Sequence, residues 1–177
     1  MAGNRELRQR LQEITDEYTE WVVGGQIAAI EALREQRSHG IKLIQEAVIG
    51  EPRTYDFNCH AFSFQLHELE VFWEIRQSTP ELLPTGQFVL DSLVPTMESV
   101  DSRDARRGDV VLYFGNGRVT HSGIVRGSDI ESKWGTAHRW QHGLFEVPSS
   151  YGSKVRYFRR PVTKDALIAY LKFARPA

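Results

Sequence analysis

Apolar residues in the first part of the chain recur at alternating steps of three and four, the spacing of one stripe along an amphipathic helix. The stripe consists of Leu7, Leu11, Ile14, Tyr18 and Trp21 or Val22. We expect Asn4 to cap this helix and the pair Gly24-Gly25 to interrupt the pattern.

A second helical pattern covers residues 26–37 and places Ile27, Ile30 and Leu33 on one side. The sequence Gly50-Glu51-Pro52 then predicts a turn. We therefore divide the chain into an N-terminal helical segment, residues 1–49, and a second unit, residues 50–177. Helices with such stripes usually cover a core. The alternative is that they bind a partner or self-associate.

The pattern changes after Asp56, which is a candidate cap for a helix over 57–69. Farther along, short runs rich in β-branched and aromatic residues predict strands over 109–114, 118–125, 129–133, 144–148 and 154–160. The sequence Gly115-Asn116-Gly117 predicts a hairpin between the first two strands. We expect Thr163 to cap a last helix over 163–174, which carries Leu167, Ile168 and Leu171. Helices followed by antiparallel hairpins and a final helix predict an α+β domain.

Composition excludes several classes of protein. The chain has 177 residues, of which 41% are hydrophobic, and this is enough apolar material for a core. Its 22 Lys and Arg residues nearly balance 23 Asp and Glu residues, so the charge favours no nucleic-acid partner. No apolar run has the length of a signal peptide or a membrane span. We expect a cytoplasmic protein without a membrane span. Export would require a specialised system that does not depend on a cleavable signal.

Cys59 is the only cysteine, which excludes an intramolecular disulfide and a cysteine-rich zinc site. It is either a small buried side chain or a reactive thiol. A helix start favours the thiolate, and a thiolate nucleophile needs a general base. Among the six histidines we select His121, which lies on a predicted strand. We interpret His60 and His67 as polar-face or capping residues.

Three segments now point to a known family: NCHAF at 58–62, RRGDVVLYF at 106–114 and THSGIV at 120–125. Together they resemble the NlpC-type and CHAP-type group of papain-like cysteine peptidases and amidases, over about residues 52–160. The resemblance implies a papain-like fold, with the helix that bears the nucleophile packed on a small antiparallel sheet. It also implies Cys59 as nucleophile and His121 as base. Asn58 replaces the usual acid and His60-Ala61 the usual Ser-Gly, which leaves the substrate class open.

In that family a polar residue on the strand after the base orients the imidazole. His138 is our first choice, because its imidazole can accept the Nδ1 proton of His121. Glu131 is the alternative, as a carboxylate suited to stabilise an imidazolium, and His142 and Ser132 remain open. Residues expected around the oxyanion and the substrate are Tyr55, Asn58 and Trp134.

These features predict a cysteine hydrolase that cleaves amide bonds in a peptide or protein, including peptidoglycan peptides, through a Cys-His-polar triad and an acyl-enzyme. We expect no cofactor and no metal. The alternatives are a catalytically inactive binding module with the papain-like fold, or an acyltransferase or deamidase effector that uses the same fold.

Overall fold

Two helices open the chain in the computed structural model, which describes residues 2–18 and 23–174. Helix α1 spans Ala2–Glu17 and helix α2 spans Val23–Gln36. The predicted stripe is confirmed for Leu7, Leu11 and Ile14, which are all buried. Its last positions, Trp21 and Val22, lie outside the described residues.

Two predictions about these helices were wrong. Helix α1 already includes Ala2, so Asn4 lies inside the helix and does not cap it. The pair Gly24-Gly25 lies inside α2. A Cβ atom on Gly25 would lie 2.2 Å from Cε1 of Tyr18, so the glycine makes room for the tyrosine ring that follows α1.

The next part of the chain is a series of short helical elements instead of the single helix predicted over 57–69. They are α3 (Pro52–Tyr55), α4 (Cys59–Ser63), a 3-10 turn (Leu66–Glu68), α5 (Glu70–Ser78), α6 (Gly86–Phe88), a π turn (Val89–Leu93) and a second 3-10 turn (Val94–Thr96). The single helix is interrupted because Gln65 adopts a left-handed conformation, with φ of 56°. The predicted last helix is confirmed as α7, Thr163–Ala174, and Thr163, the expected cap, is its first residue.

Seven antiparallel strands form one sheet in the order β1-β6-β5-β4-β3-β7-β2. Their bounds are Lys42–Gln45 (β1), Ser99–Val100 (β2), Val110–Gly115 (β3), Arg118–Arg126 (β4), Asp129–Lys133 (β5), Arg139–His142 (β6) and Lys154–Phe158 (β7). Four of the five predicted strands are confirmed as β3, β4, β5 and β7. The predicted strand over 144–148 was wrong. That segment turns instead, and the Glu146 carboxylate accepts hydrogen bonds from the backbone N–H groups of Gly40 and Gly143.

The sheet is covered by helices on both faces. Helices α4, α5 and α7 pack on the face that carries Val110 and Leu112. Helices α1 and α2 pack on the face that carries Val111 and Tyr113. The α+β class is therefore confirmed. The N-terminal segment belongs to this packing, because its helices cover one face and β1 forms an edge of the sheet. Across the described ranges no helix is both long and apolar enough to cross a membrane.

Candidate functional site

Helix α4 begins at Cys59 because Asn58 caps it. The Asn58 backbone is extended, and its Oδ1 accepts hydrogen bonds from the N–H groups of His60 (3.2 Å) and Ala61 (3.0 Å). Its Nδ2 donates to the carbonyl of Pro84 at 2.7 Å. Asn58 was expected to contact substrate, but both ends of its amide hold the helix start. Asp56, the predicted cap, instead forms an ion pair with Arg76.

The thiol of Cys59 is buried, with 7% of the residue exposed. Burial raises the pKa of this thiol to about 11, because the thiolate loses its hydration. The backbone N–H groups of Ser122, His60 and Cys59 act in the opposite direction and lower this pKa. The thiol therefore faces groups that can stabilise a negative charge.

Ser122 on β4 connects the helix start to the sheet. Its hydroxyl donates to the carbonyl of Cys59 at 3.1 Å and lies 2.9 Å from Nδ1 of His60. Because the Ser122 hydroxyl donates its proton to the Cys59 carbonyl, Nδ1 of His60 must be the donor to Ser122 Oγ. His60 is thus buried and structural, and our interpretation of it as a polar-face residue was wrong. Burial lowers the pKa of His60 to about 4.

His121 lies on strand β4, as predicted, and is 1% exposed. Its imidazole stacks on the ring of Tyr151, with centroids 3.9 Å apart and 15° between the planes. Neither ring nitrogen has a hydrogen-bond partner in the described part of the chain, so the hydrogen bond expected between Cys59 and His121 is not formed in this structure. Burial and the nearby His142 and His60 hold the pKa of His121 well below its usual value.

The alternation of side chains along β4 explains this separation. Ser122 pairs across the sheet with Leu112, and its side chain contacts α4. His121 pairs with Tyr113 on the other face. The backbone N–H of Ser122 is nevertheless one of the groups that approach the Cys59 thiol. The thiol therefore lies beside the His121 backbone although the imidazole points away.

The structure brings neither His138 nor Glu131 into hydrogen-bond contact with His121. His138 Nδ1 accepts from the backbone N–H of Ala47 at 2.9 Å. Glu131 forms ion pairs with Arg126 (2.6 Å) and Arg139 (3.1 Å).

The remaining candidates for the orienting residue, His142 and Ser132, bond to each other. His142 Nε2 lies 2.7 Å from Ser132 Oγ, and Nδ1 donates to the carbonyl of Gly143 at 2.8 Å. Burial lowers the pKa of His142 to about 4. No residue orients His121 through a hydrogen bond within residues 2–18 and 23–174.

Tyr55 and Trp134, expected near substrate, have different surroundings. Tyr55 is half-buried at the end of α3 and lines a cavity of about 330 Å³ with Ile49, Asp56 and Thr136. Trp134 is 1% exposed and packs against Trp140 with ring centroids 5.5 Å apart. Trp134 therefore belongs to the core and does not line an open groove.

Sequence reasoning missed Ser122 and did not select Lys133, which lies at the end of β5. Lys133 is 1% exposed, and its ammonium donates to the carbonyls of Thr54 (2.6 Å) and Ala137 (2.5 Å). A signal was present for each residue. Ser122 directly follows His121, and Lys133 ends a predicted strand next to a tryptophan. Within the described ranges, no group of three or more His, Cys, Asp or Glu residues is arranged to hold a metal ion.

Comparison with known proteins identifies one family. A family model described as a domain of unknown function, DUF7689, matches residues 48–159. The match starts after β1, ends just after β7, and contains Cys59, His121 and Lys133. No curated protein and no solved structure matches the chain. Because the match covers more than half of the sequence, the chain belongs to the DUF7689 family.

Proposed function

We propose that this protein is a thiol-dependent hydrolase of amide bonds, built on a papain-like fold, with Cys59 as the nucleophile. The observation that carries the proposal is the place of the buried Cys59 at the start of α4, where the backbone N–H groups of Cys59, His60 and Ser122 lie around its thiol. A cysteine that only fills space packs among apolar groups and needs no such donors. Donors of this kind stabilise a thiolate and, after attack, the oxyanion of a tetrahedral intermediate.

His121 is the proposed base. A buried imidazole with two unpaired nitrogens costs free energy, on the order of 1–3 kcal/mol for each unsatisfied group, and such groups often have a catalytic reason. Cys59 acts electrostatically on Tyr151, whose ring stacks on the His121 imidazole, and the proposal requires the thiol and the imidazole to meet once substrate binds. Catalytic hydrogen bonds are often long or misaligned before substrate binds.

The reaction follows from these roles. His121 accepts the proton of the Cys59 thiol, and the thiolate attacks the amide carbonyl. The C–N bond breaks, His121 gives the proton to the leaving amine, and a thioester on Cys59 remains. A water molecule then attacks the thioester, which releases the acid and restores the thiol. The near-neutral surface favours peptide substrates over polyanions, with peptidoglycan peptides included.

The second candidate is an inactive module that keeps the fold without the chemistry. The observation that favours it is the separation of His121 from Cys59, together with the low exposure of the thiol. In that case Cys59 and Ser122 only fasten α4 to the sheet, and the variant His121→Ala leaves every property of the thiol unchanged.

Amide hydrolysis on a pool of short peptides, including peptidoglycan stem peptides, tests the proposal. We expect turnover by the native protein and a loss of at least about 100-fold in Cys59→Ala and His121→Ala. The variant His39→Ala is the control, because His39 is only partly buried and contacts the carbonyl of Ile30, away from α4. Turnover that survives in Cys59→Ala would overturn the assignment.

A further inference from the structure

The surroundings of Lys133 are unusual for a lysine. The residue is almost completely buried, and in the described part of the chain its ammonium forms no ion pair with a carboxylate. Its partners are instead the carbonyls of Thr54 and Ala137 and the face of Phe57, whose ring centroid lies 4.3 Å from Nζ. Burying an ammonium group without a counter-ion costs free energy, so its position here requires an explanation.

Two of these partners precede Cys59 in the chain. Thr54 lies in α3 and Phe57 lies one residue before the cap of α4. The Phe57 ring also stacks on His67, with centroids 4.5 Å apart. Lys133 therefore holds the segment through which the chain enters α4, and it does so from strand β5.

The strand register places Lys133 close to the thiol. The pairing of β4 with β5 runs from Arg126 and Asp129 to Ile124 and Glu131. Two more residues of the same register would bring Lys133 opposite Ser122, the residue that bonds to the start of α4. In agreement, Cys59 acts electrostatically on Lys133 in the direction that raises the lysine pKa, although burial and Arg139 outweigh it.

We propose that Lys133 is a positioning residue for the Cys59 nucleophile, which fixes the entry of α4 and supplies the positive charge that faces the thiolate. This inference rests on the proposed function, because it takes Cys59 as the nucleophile. It differs from the proposed role of His121, which transfers the proton during the reaction.

The charged and titratable neighbours decide how such a pair titrates. Arg139 on β6 and His67 after α4 lie near Lys133, and the Tyr151 hydroxyl lies near Cys59. Burial, followed by Arg139, lowers the pKa of Lys133 to about 7. The thiol loses its proton only at higher pH. Near pH 7 the pair therefore passes from a form with both protons, thiol and ammonium, to a form that has only one of them. In that state most molecules hold a thiol and a neutral amine, and the thiol then ionises without the help of the ammonium charge, so the thiolate fraction rises less steeply just above pH 7.

The pH dependence of Cys59 alkylation tests the inference on the native protein. Iodoacetamide labelling is followed by intact mass, which reports Cys59 alone because it is the only cysteine. We expect the rate to rise about tenfold per pH unit below about pH 7, to flatten over about one pH unit above it, and then to rise again; this interruption is the step near pH 7. A single rise of constant slope between about pH 6 and about pH 9.5, without this interruption, overturns the inference.

Variants separate the charge from other effects. Lys133→Met should remove the step near pH 7 and lower the rate at about pH 6, where the native ammonium is charged, by about tenfold or more, because an opposite charge close to a thiol shifts its pKa by one unit or more. Lys133→Arg, whose charge does not titrate, should remove the step while keeping the rate at about pH 6 within about threefold of the native value. The control Lys154→Met, at an exposed strand position, should keep the native profile. A step that survives in Lys133→Met contradicts the inference.

The result can be told apart from failure of the proposed function. The step near pH 7 should persist in His121→Ala, since it belongs to Cys59 and Lys133. If the step is present but no peptide is hydrolysed, the hydrolase proposal fails and the charge pair stands. If peptides are hydrolysed through Cys59 and the step is absent, only the role of Lys133 fails.

Discussion

At the scale of residues, the site is defined by what surrounds a single thiol. Cys59 at a helix start and His121 on a strand could be predicted from sequence, because capping residues and a strand pattern leave local signals. The sequence could not decide between Asp56 and Asn58 as the helix cap, because both residue types suit that position. The contact that holds the Asn58 side chain in place is its hydrogen bond to the carbonyl of Pro84, which is distant in the chain. Thr54, which accepts a hydrogen bond from Lys133, lies 79 residues away in the chain, and no local pattern encodes this contact.

Ser122 should matter for stability because its hydroxyl satisfies two buried groups, the carbonyl of Cys59 and Nδ1 of His60. Ser122→Ala leaves both without this partner, and we expect a loss of about 1–3 kcal/mol in the free energy of unfolding. The control is Ser128→Ala, at an exposed position. Urea denaturation measures both changes, and equal stabilities of the two variants would show that the Ser122 contacts carry no weight.

At the scale of elements, the sheet was easier to predict where its turns are encoded locally. Asn116 and Gly117 have φ of 51° and 77°, which is the type I′ geometry of a two-residue hairpin between β3 and β4. Strand β6 was not predicted, because its four residues alternate polar and aromatic side chains in a run too short to be recognised. Strand β1 was assigned to a helical segment. It becomes a strand because it pairs with β6, which lies about 97 residues later in the chain.

Gly123 lets β5 approach β4 beside the site. A Cβ atom there would lie 2.5 Å from Cγ2 of Ile130 and 3.1 Å from the carbonyl oxygen of Glu131. Gly123→Ala should therefore destabilise the fold by about 1–3 kcal/mol through overpacking. In contrast, Gly24→Ala in α2, where nothing lies within 4 Å, should be neutral or stabilising. Thermal or urea unfolding gives the comparison, and a Gly123→Ala protein as stable as the native chain would contradict the close packing of these strands.

At the scale of the whole molecule, the N-terminal segment and the family domain share one core. Leu11 and Ile30 are fully buried in the same cluster as Val111 and Tyr113 of β3. Sequence predicted the apolar stripe but could not show which surface it covers, since an amphipathic pattern is the same for a core layer and for a partner-binding helix.

This packing predicts a single unfolding transition. Leu11→Ala should lower the free energy of unfolding by about 2–5 kcal/mol, as a buried leucine in a shared core does, and the sheet should unfold together with α1. The matched change Leu112→Ala, on the opposite face, should have a similar effect. Unfolding followed by tryptophan fluorescence and by circular dichroism checks this. Two separate transitions would show that residues 1–49 form an independent unit.

The buried histidines make the stability of the protein depend on pH. In the fold the pKa of His60 and of His142 is lowered from 6.5 to about 4, so both remain neutral where the unfolded chain is protonated. The contribution of these two histidines to the free energy of unfolding is complete above pH 6.5. It is lost as pH falls from 6.5 towards 4, by about 1.4 kcal/mol per pH unit for each histidine. Urea unfolding between pH 7.5 and 5.5 measures this slope. A free energy of unfolding that stays constant or increases on acidification would contradict it.

The covalent intermediate is the most direct test of the central claim, that Cys59 is a nucleophile activated by His121. The native protein is mixed with the peptides it hydrolyses, quenched in acid within seconds, and its intact mass is measured. We predict a mass increase equal to one acyl group, located on the peptide that contains Cys59 and removed by hydroxylamine as a thioester. The adduct should be absent in Cys59→Ala and at least tenfold less abundant in His121→Ala. Hydrolysis without any adduct on Cys59, or an adduct that forms equally in His121→Ala, would contradict the account.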